Sequence, residues 1–230
     1  APSNLGMALS SKGMDNYELA AVITWGNLYL VAEDEDALTK EGNFAAFGEG
    51  AVPQLVLENA VDVDNIVPEL TYYNAVSDAQ SQLLSGKADV ALLAEPVATA
   101  TIAKAKQNGK DLKVIADLQQ LYAQKNDISA DSGYPQAAIF VKKGEKASLS
   151  DVLKAIETFA NETSSDQSAL KAKIEEVGVD QLGVPNAEVA VKSWTRQNIR
   201  YVDASQAKQD LQKFADIFGI SVDLDTLIAK

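Results

Sequence analysis

The stretch Ser85–Ala100, SGKADVALLAEPVATA, constrains the architecture of this chain more than any other. A helix ending near Leu84 meets a stop at Gly86-Lys87, and the apolar run Ala88–Ala94 that follows has the length of a buried strand. The chain then breaks at Glu95-Pro96 and enters a second helix. Proline suits the first turn of a helix, where its missing N–H would be unbonded anyway, so Glu95 is placed near a helix N-terminus at the carboxyl end of a parallel strand. In open α/β sheets that edge is where ligands bind.

The same alternation extends on both sides. Strands are expected at Asn43–Phe47, Leu70–Tyr73, Ala88–Ala94, Leu112–Ala116 and Tyr134–Lys142, with helices at Gln54–Ala60, Ala75–Leu84 and Pro96–Lys106. Strand–helix–strand repetition at this spacing predicts parallel pairing with right-handed crossovers. Before it, Ser3–Ser11 reads as a helix capped by Ser3 or Asn4, and Tyr17–Val31 as two apolar strands bent at Trp25-Gly26-Asn27. After it come amphipathic helices at Leu149–Ala160, Ala169–Val177, Val184–Lys192 and Ser205–Phe218, and a tail with a final helical turn. Lys125–Gly133 reads as a polar loop. Trp194–Val202 (WTRQNIRYV) reads as a helix-to-loop segment that packs its rings on the core.

Composition removes several function classes. With 230 residues, 47% of them hydrophobic, the chain suffices for one large domain or two lobes of roughly 100 residues each. A net charge of −13 argues against nucleic acid, whose phosphates demand clustered Lys and Arg. There is no Cys and no His, which excludes disulfides, thiolate or imidazole metal sites, Cys nucleophiles and Ser-His-Asp chemistry. An enzyme here would rely on carboxylates, Lys, Tyr or Ser, which favours binding over catalysis. The acidic run Glu33–Asp36 (EDED) lacks the glycine and ligand spacing of a calcium loop and reads as a solvated turn. The turn Gly48-Glu49-Gly50-Ala51-Val52-Pro53 lacks the third glycine of a dinucleotide fingerprint and the lysine of a P-loop, so no nucleotide site is read there. It is either a plain strand-to-helix turn or a ligand-facing one offering free backbone N–H groups. No cofactor and no metal are implied. No run approaches the length of a membrane span.

Gly26–Val31 followed by GEGAVPQ, SGKADVALLAEP and YPQAAIFVKKG resembles, in the order of its pieces, the type II periplasmic binding proteins, and most closely the nitrate/sulfonate/taurine and thiamine-precursor group of ABC-transporter substrate-binding proteins. The resemblance covers most of residues 1–144, and the helical remainder matches in general character. It implies two α/β lobes of mostly parallel sheets flanked by helices, joined by two crossover strands in LYLVAED and AAIFVKKG. The first lobe would be discontinuous, 1–28 with 139–230, around a second lobe at 29–138. Members of that group usually begin with a further strand, helix and strand, so the first lobe is expected to be incomplete at its N-terminus.

By the same likeness the ligand would be gripped in a cleft lined by Ser3, Asn4, Trp25, Gly26, Glu49, Gly50, Ala51, Val52, Glu95 and Tyr134. Trp25 and Tyr134 would offer flat apolar faces. Glu95 would either accept from an amino-bearing ligand or simply start its helix. The implied protein is a monomeric, extracytoplasmic solute-binding component, periplasmic or lipid-anchored, that hands a small polar or heteroaromatic molecule to an ABC permease subunit. The alternatives are a small-molecule lyase or synthase on the same fold, using Glu49, Glu95 and Tyr134 as acid–base groups, or a ligand-sensing domain. Two carboxylates lean towards a cationic ligand and the free N–H turns towards an anionic one, which leaves its charge open.

Overall fold

Continuous apolar runs become central strands, because a strand covered on both faces has no side left for polar residues. The computed structural model describes residues 1–128 and 133–229, so part of the expected loop Lys125–Gly133 lies outside the described residues. Along the chain run α1 (Ser3–Ser11), β1 (Tyr17–Thr24), β2 (Leu28–Ala32), β3 (Asn43–Phe47), α2 (Val52–Ala60), β4 (Glu69–Tyr73), α3 (Val76–Ser85), β5 (Val90–Ala94), α4 (Val97–Gln107), β6 (Lys113–Asp117) and α5 (Leu118–Lys125). There follow β7 (Ala137–Lys142), α6 (Ser150–Asn161), α7 (Gln167–Val177), α8 (Val179–Leu182), α9 (Ala187–Ser193), β8 (Ile199–Asp203), α10 (Lys208–Ile217) and α11 (Leu224–Leu227).

The chain divides into two compact units: Ala1–Gly26 with Tyr134–Glu176 and Asn198–Lys230, and Asn27–Gly133 with Val177–Gln197. It therefore passes from one unit to the other four times, where the sequence reading has two crossover strands. Neither expected crossover strand spans the units: β2 lies in the second and β7 in the first. The segment 177–197, assigned from sequence to the first lobe, belongs to the second unit, where α9 packs beside α4.

The second unit is built on a five-stranded sheet of order β4-β3-β5-β2-β6. β3 pairs in parallel with β4 and β5, as the strand–helix–strand spacing requires, while β2 is antiparallel to β5 and β6. All five residues of β2 and four of the five in β5 are buried, in keeping with their inner positions, whereas edge strand β4 is half-exposed. Val31, Ala45, Ala91 and Leu93 pack with Ala79, Leu83, Ala98 and Ala105 of the covering helices. α3 stops where Gly86 turns left-handed at φ +74°, and the Gly86 and Lys87 N–H groups donate back to Leu83 O and Gln82 O.

The first unit holds a three-stranded antiparallel sheet of order β7-β1-β8. β8 corrects the reading of Trp194–Val202: its second half is a strand against β1, with Asn161 bracketing Tyr201 by accepting from its N–H (2.8 Å) and donating to its carbonyl (3.0 Å). Ala20, Val141, Leu153 and Ala229 form a core cluster, and the chain end joins it because Ala229 N–H donates to Leu19 O at 2.9 Å.

Asp203 at the end of β8 accepts from Ser205 and, at 3.0 Å, from Lys146 Nζ, which also reaches Ala229 O at 3.2 Å. Burial pulls this carboxyl upward, but the Ser205 and Lys146 bonds outweigh it and leave the group below the ordinary aspartate value of 3.8. A carboxyl held low in the fold stabilises at neutral pH, and that contribution disappears as the pH falls through and below 3.8. Asp203→Asn is therefore expected to flatten the acid side of the stability–pH curve, with a loss of no more than about 1 kcal/mol at pH 7 for so exposed a pair. Urea midpoints between pH 3 and 7 check it; parallel curves for variant and wild type would contradict the assignment.

Candidate functional site

In the second unit, β3, β4, β5 and β6 all run the same way, so their carboxyl ends at Phe47, Tyr73, Ala94 and Asp117 share one edge of the sheet, from which α2, α3, α4 and α5 start. β2 runs the other way and begins at this edge, setting Asn27 against Glu95: Glu95 N–H donates to Asn27 O at 2.9 Å, and Asn27 Nδ2 donates to Glu95 O at 3.1 Å. Five of the sequence-proposed residues, Glu49, Gly50, Ala51, Val52 and Glu95, thus follow the ends of the adjacent strands β3 and β5.

The turn after β3 is less open than its composition suggests. Gly48 and Gly50 take left-handed φ of +78° and +70°, which only glycine adopts readily. Gly48 N–H donates to Tyr73 O, Gly50 N–H to Gln54 Oε1 at 2.6 Å and Ala51 N–H to Gly48 O, so three of the expected free donors are already used. Glu49, Gly50 and Ala51 are exposed, and Val52 is buried at the start of α2.

Glu95 is the buried acid of this edge, its side chain 0% exposed. Both carboxylate oxygens are engaged: Oε1 accepts from Arg196 Nε at 2.6 Å and Thr99 Oγ1 at 2.9 Å, and Oε2 from Thr99 N–H at 3.0 Å. Thr99 Oγ1 in turn accepts from Arg196 Nη2 at 2.5 Å. Arg196 is held a third time through its carbonyl, which accepts from Tyr29 O–H at 2.8 Å, while its guanidinium lies 5.7 Å from the Tyr29 ring centre. Burial, with the negative charges of Asp117 and Glu95, drives the Tyr29 hydroxyl far above the ordinary phenol range. Asp117 is itself raised, first by burial, against the lowering effect of the Gln119 and Gln120 N–H groups from which its carboxylate accepts as it caps α5. Of the two roles the sequence left open for Glu95, the observed contacts are those of a helix start and an internal ion pair.

In the first unit, Ser3, Asn4, Trp25, Gly26 and Tyr134 gather at the end of the sheet where β1 finishes and β7 and β8 begin. Ser3 N–H donates to Gln136 O at 3.0 Å and Gln136 N–H to Thr24 O at 2.9 Å. Trp25 N–H donates to Asn198 O at 3.0 Å, and Asn198 Nδ2 to Gly26 O at 2.7 Å. Ser3 does not cap α1: Pro2 precedes the helix, and the buried Ser3 hydroxyl donates to Pro135 O instead. Trp25 is 1% exposed, its Nε1–H donates to Arg200 O at 3.2 Å, and the Arg200 guanidinium covers its ring at 4.3 Å. Tyr134 is fully buried and stacks on Phe214 with centroids 6.1 Å apart. Neither ring offers an open face. Among the described residues, Asn4 Oδ1 and Gln136 Oε1 are buried without a hydrogen-bond partner.

Sequence reasoning missed Arg196, Thr99, Tyr29 and Asn27. The pairing of arginines with aromatics in WTRQNIRYV was the available signal, but nothing local ties it to Glu95, 101 positions away. The EDED turn is exposed, with Asp34 paired to Lys40 and Glu35 to Lys113 at 2.8 Å. A cleft of about 380 Å³ opens at the opposite edge of the second unit's sheet, where Asp34, Lys40, Asp89 and Lys110 line it. Among the described residues no cluster of potential metal ligands is gathered, and no helix is long and apolar enough to cross a membrane.

No protein-family model and no curated protein matches the sequence. Solved structures do match the fold. A crystal structure of an ABC transporter from Parabacteroides distasonis aligns over 100% of this chain and 79% of its own, at 21% identity and TM-score 0.79. The periplasmic aliphatic sulphonate binding protein SsuA from Escherichia coli aligns over 100% and 74%, at 14% identity and TM-score 0.62. The desulfurization enzyme DSZB aligns over 99% and 81%, at 12% identity and TM-score 0.57. The chain has the α/β fold of type II periplasmic binding proteins.

Proposed function

We propose that this chain is the solute-binding component of an ABC importer, working outside the cytoplasm, where it captures a small polar or heteroaromatic molecule and passes it to a permease subunit without making or breaking a bond. The observation that carries this reading is the fit of the entire chain to an ABC-transporter structure at TM-score 0.79. The chemistry of the polar groups supports it. Glu95, the best-placed acid for catalysis, is spent on Arg196 and Thr99, and Tyr134 is stacked in the core, which leaves only the exposed Glu49 of the three acid–base candidates. A general base must reach the proton it removes.

The likeness to DSZB supports a second reading, an enzyme on the same scaffold. A thermal-shift screen with sulfonates, nitrate, pyrimidines, thiamine and riboflavin separates the two, because a molecule that binds only the folded chain raises its melting temperature by mass action. The expected result is a hit recovered chemically unchanged, as judged by mass spectrometry. A hit that is consumed would replace the binding reading with the enzymatic one.

A further inference from the structure

We infer that Asn108, at the C-terminal cap of α4, is a site of spontaneous conversion to aspartate and isoaspartate, and that the cap itself controls how fast the residue reacts.

Asn108-Gly109 is the one Asn-Gly step in the sequence. An asparagine amide is attacked by the main-chain nitrogen of the next residue, and glycine alone puts no Cβ in the way. The Gly109 nitrogen, once deprotonated, bonds to Asn108 Cγ, and Nδ2 leaves as ammonia with the proton. Water then opens the five-membered imide, and the Gly109 nitrogen regains its proton. Attack at Cγ gives aspartate. Attack at the main-chain carbonyl carbon gives isoaspartate, whose backbone runs through Cβ and is one atom longer. Asn108 and Gly109 are both exposed, and the Asn108 amide holds no hydrogen bond among the described residues. Asn65 and Asn186 are exposed too, but their amides are bonded to Asp62 and to Val189 N–H, and Ile66 and Ala187 follow them.

The folded cap opposes the first step. Asn108 lies at φ −96° and ψ +11°, and Gly109 at φ +77°. Lys110 N–H donates to Ala105 O at 3.0 Å and Gly109 N–H to Lys106 O at 3.2 Å, the paired bonds of a Schellman motif. The attacking nitrogen is thus turned away from the Asn108 side chain with its proton bonded. Ring closure requires ψ to rotate and that bond to break, which happens when the last turn of α4 opens, and exposed helix ends open more readily than a core. Lys104, Lys106 and Lys110 lie within four positions of Asn108, against one acid, Asp111. Their charge favours the deprotonated nitrogen once the turn is open.

Lys110 extends the consequence beyond α4. Its main-chain N–H closes that helix, while its Nζ donates to Leu84 O at 3.2 Å at the end of α3. An extra backbone atom between Ala105 and Lys110 removes the spacing that both Schellman bonds need and shifts the Lys110 anchor, so isoaspartate loosens both helix ends. Aspartate keeps the chain length and adds only a carboxylate at a helix C-terminus, which the dipole disfavours mildly.

The test incubates the native chain and the guanidinium-unfolded chain at mildly alkaline pH. Peptide mass spectrometry locates the new acid, and methylation by an isoaspartyl methyltransferase reports isoaspartate. Position 108 should convert in both, several-fold more slowly in the native protein, and Asn108→Gln should abolish the signal there. Faster conversion at another asparagine of the native chain, or none at 108 while the unfolded chain converts, overturns the assignment. Equal rates in the two overturn the role of the cap. Hydrogen exchange on the separated products checks the consequence: the Gly109 and Lys110 amides should exchange several-fold faster in the isoaspartyl form than in wild type, with Asn108→Asp close to wild type. An isoaspartyl form protected like wild type overturns the loosening of the helix ends.

Discussion

Trp25→Ala is expected to destabilise the protein by about 3–5 kcal/mol, the usual range for truncating a large buried aromatic. Trp25 closes β1 at 1% exposure, and three separate features of the first unit depend on it. Its main-chain N–H bonds Asn198 O at 3.0 Å and survives the substitution. Its indole N–H is the donor to Arg200 O at 3.2 Å, and its ring carries the Arg200 guanidinium at 4.3 Å; both are lost, along with the packed volume of the ring. Asp210, which burial raises and Arg200 lowers, then faces a cation that has lost its platform. Trp25→Phe keeps an aromatic face but not the donor, and should cost roughly 1–2 kcal/mol. Urea denaturation followed by circular dichroism gives both values, since Trp194 remains as the only other indole and lies in the second unit. A Trp25→Ala protein as stable as wild type would mean that the ring is not a core element, and would return it to consideration as a ligand platform.

The second large effect concerns the ion pair between Glu95 and Arg196, where the two partners should not be equivalent. Glu95 has a side chain 0% exposed and Arg196 one 39% exposed. Arg196→Met leaves a buried carboxylate with only Thr99 for company, and breaking a pair in that way costs about 3 kcal/mol, near the lower end of the range for fully buried pairs. Glu95→Gln leaves an arginine that water can solvate and an amide that still accepts from Thr99, and should cost about 1 kcal/mol. The measurement is the difference between the two variants in one urea series. Equal costs, or a greater cost for Glu95→Gln, would contradict the burial asymmetry on which the role of Glu95 as an internal anchor rests.

What the two variants have in common is that the charges they separate lie 101 positions apart, and nothing near either one in sequence assigns it to the other. The residues that could be placed from sequence are those whose behaviour is set within a few positions. VALLA became an inner strand because a run with no polar residue cannot face water, Gly86 ended α3 because left-handed backbone suits glycine, and the alternation from Asn43 to Asp117 put β3, β4 and β5 in parallel. Those local rules also brought Glu49–Val52 and Glu95 to one sheet edge. Even there, local reading misjudged how much of the GEGAVP turn stays unbonded, because Gln54 reaches back to Gly50 and Tyr73 accepts from Gly48.

Only the tertiary structure decided the rest. WTRQNIRYV carries no strict alternation, and its second half is a strand because β1 presents an unpaired edge to it. The segment 177–197 reads as plain helix and turn, and its place in the second unit follows from α9 meeting α4 and from Arg196 meeting Glu95. Trp25, expected from the resemblance to offer a ligand a flat apolar face, is assigned to the core only when Arg200, 175 positions later, is seen against it. Periodicity and turn chemistry act over one or two turns of chain and determined the elements by themselves. Which charge neutralises which, and which ring is covered, depends on contacts between residues a hundred or more positions apart, and no local pattern encodes a partner at that distance.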